Sequence, residues 1–355
     1  MPFTSIRTVG FRNLQDGEVQ TDAPEVFLVG ENGQGKTNFL EAVYFCSFAS
    51  SFRGAKDTEL MRVGETDCSA SARLSGGSSE RIQITVQDGK KTVSLDGKRL
   101  ADRTALLDIV PSVVFCHEDM EFVAGPPERR RWFFDQSLSL YDSLYLEDLQ
   151  KYRKILKTRN ALIKNRDSSM LDVIDPQIAS YGIEIMKKRA EASKAFSETF
   201  GPLYQAVSAI QGVSVRYAPS WKGESVDEVV QGLIAKRESD LLFGTSLSGP
   251  HRDRYTFVQG GGEFARRAST GQRRLLALLL RAAQAQRYSS ASGRRPVLLL
   301  DDVLLELDPE KRRRFLEVLP AYDQAFFTFL PGEPYERYQK DRTLVYHVEG
   351  GRVEA

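Results

Sequence analysis

The chain is poor in the residues that most often bind metal ions. Three cysteines and three histidines occur among its 355 residues. Cys46, Cys68 and Cys116 do not have the spacing of a zinc site, and the histidines are scattered along the sequence. We therefore expect no zinc site, and we expect the thiols to be reduced.

Long apolar runs are missing as well. No run approaches the roughly 18 residues that indicate a membrane-spanning helix. The first residues, MPFTSIRTVGFRNL, show neither a basic segment followed by an apolar one nor a cleavage site. These absences predict a cytoplasmic protein that does not enter a membrane.

The chain also has almost no excess of charge. Its 49 lysines and arginines are balanced by 48 aspartates and glutamates, which leaves a formal net charge of +1. A near-neutral chain has no overall field that attracts nucleic acid, so any such binding must depend on a local basic face. Because 41% of the residues are hydrophobic, the chain can bury a large core, and its length allows two domains.

One stretch carries a specific signal. The sequence LVGENGQGKT, from Leu28 to Thr37, fills every fixed place of the pattern G-x-x-x-x-G-K-S/T. A strand that turns through glycines into a helix points backbone N–H groups and the positive end of the helix dipole at one place, which suits a phosphate chain. An apolar strand before the loop and an apolar helix after it favour this reading over a chance match. The predicted nucleotide-binding residues of the loop are Gly30, Glu31, Asn32, Gly33, Gln34, Gly35, Lys36 and Thr37.

Two further motifs lie late in the chain. The apolar run from Pro296 to Leu300 predicts a buried strand that ends in Asp301 and Asp302. Paired carboxylates at such a strand end are the usual place for a magnesium-binding Asp and a neighbouring base. Ser-x-Gly-Gln, from Ser269 to Gln272, stands just before a predicted helix. Ser269 is a plausible N-cap, which is a sufficient structural role, but the turn is also a second anion-binding helix start.

Periodicity predicts two kinds of architecture. Residues 67–100 alternate between turn signals at Gly76-Gly77, Asp88-Gly89 and Asp96-Gly97, which indicates an antiparallel meander. Residues 128–164 and 172–210 show helical patterns, the second interrupted at Gly201-Pro202, and together predict an antiparallel helical hairpin. The predicted organisation is an α/β head with a mixed sheet, made of residues 1–127 and 241–355, and a mostly helical insertion of residues 128–240.

The sequence does not decide the role of two polar segments. The loop Ser50 to Gly54 carries Arg53, which is either solvated or placed beside a ligand. His117-Glu118-Asp119 follows the apolar strand Ser112 to Cys116, and polar residues at such strand ends commonly face the ligand crevice of an α/β protein.

The order of these motifs resembles the RecF family of bacterial recombination mediators, within the ABC-type ATPase heads that also include the SMC proteins. The resemblance covers essentially the whole chain. Its motifs in this sequence are Phe11-Arg12-Asn13, the loop Gly30 to Thr37, Ser51-Phe52-Arg53, Gly249-Pro250-His251-Arg252-Asp253, Ser269 to Gln272, and Leu298 to Asp302.

Site roles are implied by this resemblance. It makes Gly30 to Thr37 the Walker A loop, Asp301 the Mg²⁺ residue of Walker B, and Asp302 the catalytic carboxylate that acts with Lys36. Thr37 is expected to bind Mg²⁺ together with Asp301. The remaining implied roles are nucleotide binding by Arg12 and Asn13, a signature turn of Ser269, Gly271 and Gln272 that contacts ATP held by a second subunit, and a D-loop at Asp308.

The sequence departs from the family pattern at three positions. His117 stands where the family has proline, Arg254 where it often has a second Asp, and Arg273 where it often has Gln. The first change leaves the ligand role of His117-Glu118-Asp119 undecided. The other two make the local surface more basic.

The resemblance implies an ATP-dependent DNA-binding protein that is dimeric when loaded with ATP. It would bind double-stranded and gapped DNA without regard to sequence and work beside RecO and RecR to place RecA on gaps. ATP hydrolysis is expected to be weak, because Asp302 is one methylene shorter than the Glu usual in ABC heads. The resemblance also implies that DNA stimulates it. Four clusters of basic residues are candidates for DNA contact or are merely solvated: 129–131, 266–267, 273–274 and 311–314.

Other readings use some of the same motifs. A transporter subunit shares the head but would need a transmembrane partner, and an SMC protein would need helical arms of far greater length. A metabolic kinase would not need the Ser-x-Gly-Gln turn. Another DNA-repair ATPase of the SMC/ABC type, or a DNA clamp that binds ATP with negligible hydrolysis, is harder to distinguish.

Overall fold

The structure is a computed structural model that describes residues 3–76, 80–305 and 307–355. The chain divides into two compact units. The first contains residues 1–119 and 288–355, and the second contains residues 120–287. The predicted turn at Gly76-Gly77 lies partly outside the described residues, since Gly77 is not described.

An antiparallel sheet of six strands forms one layer of the first unit. The strands are β1 (Phe3–Val9), β2 (Gly17–Gln20), β4 (Asp67–Leu74), β5 (Arg81–Gln87), β6 (Lys90–Leu95) and β7 (Lys98–Arg99), in the order β2-β1-β4-β5-β6-β7. The pairing from β4 to β7 confirms the predicted meander. At the turns Asp88-Gly89 and Asp96-Gly97 all four residues have positive φ, as two-residue hairpin turns require.

A second sheet of six strands carries the loops of interest. The strands are β3 (Glu25–Val29), β8 (Ser112–Phe115), β12 (Val297–Leu300), β13 (Gln324–Phe329), β14 (Thr343–Glu349) and β15 (Arg352–Glu354), in the order β15-β14-β3-β13-β12-β8. All neighbours are parallel except β14 and β15. The phosphate loop after β3 and the two aspartates after β12 therefore leave the sheet at the same edge, where α/β proteins bind ligands.

The helix that follows the phosphate loop, α1 (Lys36–Phe48), is packed between the two sheets. Ile84 of the antiparallel sheet, Phe39 and Val43 of α1, and Phe326 of the parallel sheet belong to one buried cluster. Because α1 is buried on nearly all sides, its sequence is apolar all round rather than amphipathic. Among the residues of this unit that the structure describes, the other complete helix is α8 (Pro309–Glu317). Short 3-10 helices cover residues 57–60, 103–108, 117–122 and 335–338.

The second unit is mostly helical. Its helices are α2 (Pro127–Ser139), α3 (Ser143–Lys164), α4 (Leu171–Ser208), α5 (Val226–Phe243), α6 (Phe264–Arg267) and α7 (Thr270–Ser292), the last of which runs on into the first unit. Helices α3 and α4 pack through a shared apolar core, as the predicted hairpin requires. The helix predicted over 128–164 is in fact two helices, since the Asp142 side chain accepts a hydrogen bond from Tyr145 N and caps the start of α3.

The predicted interruption at Gly201-Pro202 is wrong. Helix α4 continues through Pro202 to Ser208. A proline inside a helix costs roughly 3 kcal/mol. Phe196, Phe200 and Tyr204 are buried on one face across this segment, and their packing offsets that cost.

A small antiparallel sheet completes the second unit. Its strands are β9 (Ser214–Ala218), β10 (Arg254–Gln259) and β11 (Gly262–Glu263), in the order β11-β10-β9. The predicted insertion ends at residue 240, but β9, which precedes this residue in the sequence, pairs with β10, which follows it. The compact unit accordingly contains the segment 128–240 together with residues 120–127 and 241–287.

A buried ionic network explains the Gly-Pro-His-Arg-Asp motif in structural terms. The Arg189 guanidinium is 2% exposed and lies 2.8 Å from both Asp135 Oδ1 and Asp253 Oδ2. It also donates to Pro250 O at 2.6 Å. This network joins α2 and α4 to the turn before β10. Loss of one partner of such a buried pair costs roughly 3–5 kcal/mol, because it leaves a charge without compensation.

His251, in the same turn, makes the stability of this unit depend on pH. Its Nε2 lies 3.0 Å from Ser246 O, which can only accept, so Nδ1 accepts from the Tyr152 hydroxyl at 2.7 Å. Burial, with Arg252 and Arg131 nearby, lowers the pKa of His251 to about 4. As pH falls below the usual value of 6.5, the unfolded chain binds a proton that the folded protein does not.

Because of this histidine, we expect the free energy of unfolding to fall by up to about 3 kcal/mol as the pH is lowered from 6.5 to 4. The His251→Asn variant should be less stable than wild type at pH 7 but should lose less stability on acidification. Thermal unfolding of both proteins at several pH values measures the difference. Equal pH dependence in the two proteins would contradict the assignment.

Within the described part of the chain, no helix is long and apolar enough to cross a membrane.

Candidate nucleotide-binding site

The phosphate loop needs glycine at two kinds of position. Gly33 and Gly35 have φ of +80° and +122°, which residues with a Cβ rarely adopt. At Gly30 a Cβ would lie 2.3 Å from Val348 O, so close approach excludes any larger residue. The glycines predicted from the motif are thus required by the backbone itself.

The C-terminal hairpin holds this loop in place. The amides of Gly351 and Gly350 donate to Gln34 O at 2.8 Å and to Gln34 Oε1 at 2.7 Å. A Cβ on Gly351 would lie 1.9 Å from Asn13 O. The sequence analysis did not identify this contact, for which the paired glycines Gly350 and Gly351 were the available signal.

Lys36 lies inside the loop. Its side chain is 3% exposed, and its ammonium donates to Gly30 O at 2.7 Å and to Glu31 O at 3.1 Å. It is also 4.0 Å from Asp302 Oδ2. The positive charge is therefore held at the centre of the predicted phosphate site.

Thr37 and Asp301 come together although 264 residues separate them. The Thr37 hydroxyl donates to Asp301 Oδ1 at 2.8 Å. A hydroxyl and a carboxylate oxygen side by side suit Mg²⁺, which binds through few protein oxygens and keeps waters or substrate phosphates as its other ligands. The residues present therefore fit Mg²⁺. In the described residues no group of three or more Asp, Glu, His or Cys could hold a metal ion.

The electrostatics of Asp301 favour a cation. Burial, helped by the charges of Asp302 and Glu118, raises the pKa of this carboxyl to about 7, although the hydrogen bond from Thr37 and the charge of Lys36 act in the opposite direction. A bound cation would relieve both the burial and the repulsion. Glu118, whose role the sequence left open, therefore contributes negative charge to this site.

Asp302 is oriented by Thr328 of β13. Its backbone N–H donates to Thr328 Oγ1 at 2.7 Å, and the Thr328 hydroxyl lies 2.7 Å from Asp302 Oδ1, to which it donates. Asp302 itself has φ of +51°, a conformation that Asp and Asn tolerate better than other residues with a Cβ. The carboxylate is thus fixed by one side chain on the neighbouring strand.

A cavity of about 290 Å³ opens beside these groups. It is lined by Asn32, Gly33, Gly35, Lys36, Thr37, Asn38, Arg53 and Asp302. Arg53 therefore lies beside the site rather than in a remote loop, and its guanidinium donates to Asn38 Oδ1 at 3.4 Å.

Arg12 and Asn13 flank the loop in different ways. Asn13 donates to Gly33 O at 3.2 Å and accepts from Asn38 Nδ2 at 2.7 Å, so it bridges the loop and α1. Arg12 pairs with the fully buried Glu41 through two hydrogen bonds of 2.9 and 3.0 Å. Glu41 stands within the apolar sequence of α1, and a buried glutamate of this kind indicates a basic partner. Nucleotide contact by Arg12 and Asn13 stays a prediction.

Asp119 has a structural role. Its carboxylate accepts from Cys116 N at 3.0 Å and is almost fully buried, whereas His117 and Glu118 are exposed. The bond closes the turn that follows β8 and holds it in a shape that leaves Glu118 near Asp301.

The Ser-x-Gly-Gln turn lies in the second unit and forms a capping box. Ser269 Oγ accepts from Gln272 N at 3.2 Å, and Gln272 Oε1 accepts from Ser269 N at 2.8 Å. This confirms Ser269 as the N-cap of α7. A Cβ on Gly271 would meet no atom within 4 Å, so the start of the helix is open. In the first unit, Asp308 likewise caps α8 by accepting from Lys311 N.

Comparisons with known proteins agree with this geometry. Residues 3–349 match the model of the RecF/RecN/SMC N terminal domain. A protein named DNA replication and repair protein RecF from Treponema pallidum is 44% identical over 345 residues, which cover 97% of this chain and 98% of that protein. A protein of the same name from Leptospira interrogans is 32% identical over 97% of each chain.

Solved structures give the same result. One described as the recombination mediator protein RecF-ATP in the RecFOR pathway has a TM-score of 0.88 and 26% identity, covering 99% of this chain and 96% of that one. The Smc head domain of Pyrococcus furiosus has a TM-score of 0.57 at 17% identity, a likeness of fold alone.

The fold and the phosphate site together define an ATPase head of the ABC/SMC type with an inserted, mostly helical second domain, as the sequence predicted. Within that class, the chain belongs to the RecF family.

Proposed function

We propose that the chain is an ATP-dependent DNA-binding protein of recombinational gap repair. The observation that carries the proposal is the convergence of Lys36, Thr37 and Asp302 at one cavity, with Asp301 hydrogen-bonded to Thr37. The names of its relatives, which refer to DNA replication and repair and to recombination mediation, support the biological setting.

Each residue has a proposed task. Backbone N–H groups of Gly33 and Gly35 and the Lys36 ammonium bind the phosphates of ATP. Thr37 and Asp301 hold Mg²⁺, which neutralises charge on the terminal phosphates. Asp302 accepts a proton from the attacking water, and Thr328 keeps its carboxylate oriented. The short Asp side chain makes hydrolysis slow, as suits a switch.

The proposed DNA contact is made with the phosphate backbone. The sequence has no motif that reads bases, and its net charge is near zero, so affinity must come from local clusters of arginine. We expect binding to be insensitive to base sequence. Affinity should fall at least about tenfold from roughly 50 to roughly 200 mM salt.

Titration of labelled duplexes at several salt concentrations, with two unrelated base sequences, tests this expectation. An affinity that barely changes with salt would exclude phosphate contact as the main source of binding energy.

We propose that ATP drives dimerisation through Ser269, Gly271 and Gln272. The open N-terminus of α7 is a second anion-binding surface on the same chain as the phosphate loop. Two copies related by a two-fold axis would complete two equivalent sites, so nucleotide binding and association stabilise each other.

The Ser269→Arg variant tests the proposed dimer. It should place a bulky cation at the interface and keep the protein monomeric with saturating ATP and Mg²⁺, while ATP still binds to the monomer. Light scattering with and without ATP measures the oligomeric state. Ser269→Asn is the matched control for the N-cap, since Asn caps helices as well as Ser. A wild-type protein that stays monomeric with ATP, alone and with DNA, would leave the turn as a helix cap only.

The broader proposal includes RecO and RecR as partners and RecA as the protein placed on the gap, in the cytoplasm. Measuring ATP turnover without DNA, with a duplex and with a gapped duplex tests it. Stimulation by DNA, strongest with the gap, is the expected result. Binding of ATP and DNA with no turnover under any condition would favour the second candidate, a DNA clamp with negligible hydrolysis.

A further inference from the structure

A second cavity lies entirely within the second unit, away from the phosphate loop in sequence. Its volume is about 450 Å³. It is formed by the start of α2, the middle of α3, one position of α4 and the turn that contains His251. The side chains that matter for its chemistry are Arg129, Arg131, Trp132, Tyr152, Arg153 and Arg189.

The cavity carries more positive than negative charge. Four arginines line it, Arg129, Arg131, Arg153 and Arg189, against two carboxylates, Glu128 and Asp135. Asp135 is already bound by Arg189 and lies 3.3 Å from Arg153. The Arg129 side chain is exposed and has no ion pair within the part of the chain that the structure describes. A cation without a local partner at the mouth of a cavity favours an anionic ligand.

An exposed tryptophan stands beside these arginines. The Trp132 ring is stacked on Phe122, with centroids 5.7 Å apart and an interplanar angle of 25°. The buried Phe122 ring also lies under the guanidinium of Arg281, whose central carbon is 4.8 Å from the ring centroid. Trp132 is thus the outer member of this stack, and it is 40% exposed. The exposed part of the Trp132 ring can therefore stack on a further planar group.

Two of the other three basic clusters are paired with their own carboxylates, as Arg131 is with Glu128 at 3.5 Å. Lys311 pairs with Asp308 at 2.6 Å, and Arg313 pairs with Glu317 at 2.6 Å. Arg266 pairs with Glu263 at 2.8 Å. Arg313 lines a cavity of about 600 Å³, but the tyrosines there, Tyr322 and Tyr338, are half-buried, whereas Trp132 is exposed. As a site of DNA contact, residues 129–131 therefore have stronger structural support than residues 266–267 and 311–314.

We propose that this cavity binds one unstacked nucleotide of single-stranded DNA. Its base continues the stack on Trp132, and its phosphates are bound by Arg129 and Arg153. Stacking on an aromatic ring combined with phosphate contacts is how proteins bind single strands without sequence preference. The proposal rests on the proposed DNA-binding function and deepens it, because it places the single-stranded part of a gap in the second unit.

An acidic peptide is the competing ligand for a cationic cavity. A peptide carboxylate would use the arginines but would leave the planar face of Trp132 uncovered. A base uses both features, and for this reason we favour single-stranded DNA.

The chain offers a direct optical test. It contains two tryptophans, and Trp221 is buried at 6% exposure, so a ligand that stacks on Trp132 should quench part of the fluorescence only. Oligothymidylate is the probe, and a blunt duplex of equal length is its comparison. We expect oligothymidylate to quench the fluorescence of wild type and the duplex to quench it little. In the Trp132→Phe variant only Trp221 fluoresces, and oligothymidylate should leave that emission unchanged.

Affinity measurements with variants complete the test. Trp132→Leu should weaken binding of oligothymidylate by about tenfold or more and change duplex binding by less than about twofold. Arg129→Gln should weaken oligothymidylate binding and reduce its salt dependence. Arg81→Gln on β5, at an exposed arginine outside the four basic clusters, is the matched control and should change neither. Circular dichroism and thermal unfolding show whether each variant is folded.

Three results would overturn the proposal. The first is unchanged oligothymidylate affinity in folded Trp132→Leu, and the second is an equal loss for duplex and single strand. The third is displacement of oligothymidylate from wild type by an equimolar acidic peptide, which would assign the cavity to protein ligands. Failure here is distinct from failure of the proposed function: a protein that binds duplex and hydrolyses ATP but shows none of the Trp132 effects refutes this inference alone.

Discussion

Replacing Lys36 by methionine is expected to weaken ATP binding by about 100-fold, equivalent to roughly 3 kcal/mol. The ammonium is held inside the phosphate loop by two backbone carbonyls, and it is the most deeply buried positive charge lining the cavity. Charge-assisted hydrogen bonds to phosphate oxygens would be lost with it. Calorimetric titration with ATP and Mg²⁺ measures the change.

The variant also has a structural effect that needs its own control. Lys36 is 3% exposed, so Lys36→Met leaves two loop carbonyls without their donor and should lower stability somewhat. Lys91→Met is the matched control, because Lys91 likewise donates to a backbone carbonyl, Ala49 O, and to a carboxylate in the same unit. The control should bind ATP normally. If Lys36→Met binds ATP with wild-type affinity, the assignment of Lys36 to the nucleotide site is wrong.

The Asp302→Asn variant is expected to bind ATP with nearly normal affinity and to hydrolyse it at least about 100-fold more slowly. Asparagine keeps the backbone bond to Thr328 Oγ1, and its Oδ1 can still accept from the Thr328 hydroxyl. It also tolerates the φ of +51° at this position. The substitution therefore removes the proton acceptor while leaving the local structure intact.

Single-turnover measurement of phosphate release decides this prediction, and light scattering should show that ATP-bound dimers accumulate. Asp96→Asn provides a close control: Asp96 has φ of +49° and its carboxylate accepts backbone N–H groups, but it lies at the tip of a hairpin. Its turnover should equal that of wild type. Normal turnover in Asp302→Asn would move the catalytic role to another group.

The outcomes of the sequence predictions follow a physical pattern. Features set by neighbouring residues were predicted well: the phosphate loop with its glycines, the buried strand that ends in Asp301 and Asp302, the N-cap at Ser269, and the antiparallel meander. In each of these the backbone conformation depends on a few adjacent residues, so the local pattern is sufficient. The prediction that the helix is interrupted at Pro202 was wrong, because burial of Phe196, Phe200 and Tyr204 against the rest of the unit outweighs the local cost of a proline in a helix.

By itself, then, the sequence determined the class of ligand and the elements that present it. Only the tertiary structure decided which side chains share the site. The bond between Thr37 and Asp301 joins residues 264 positions apart, and Thr328 orients Asp302 from the next strand. The contact of Gly351 with the phosphate loop, and the grouping of Trp132 with Arg129 and Arg153, are likewise invisible in the linear chain. The reason is that such contacts depend on strand order, register and helix packing, which arise from the whole core and not from any short segment.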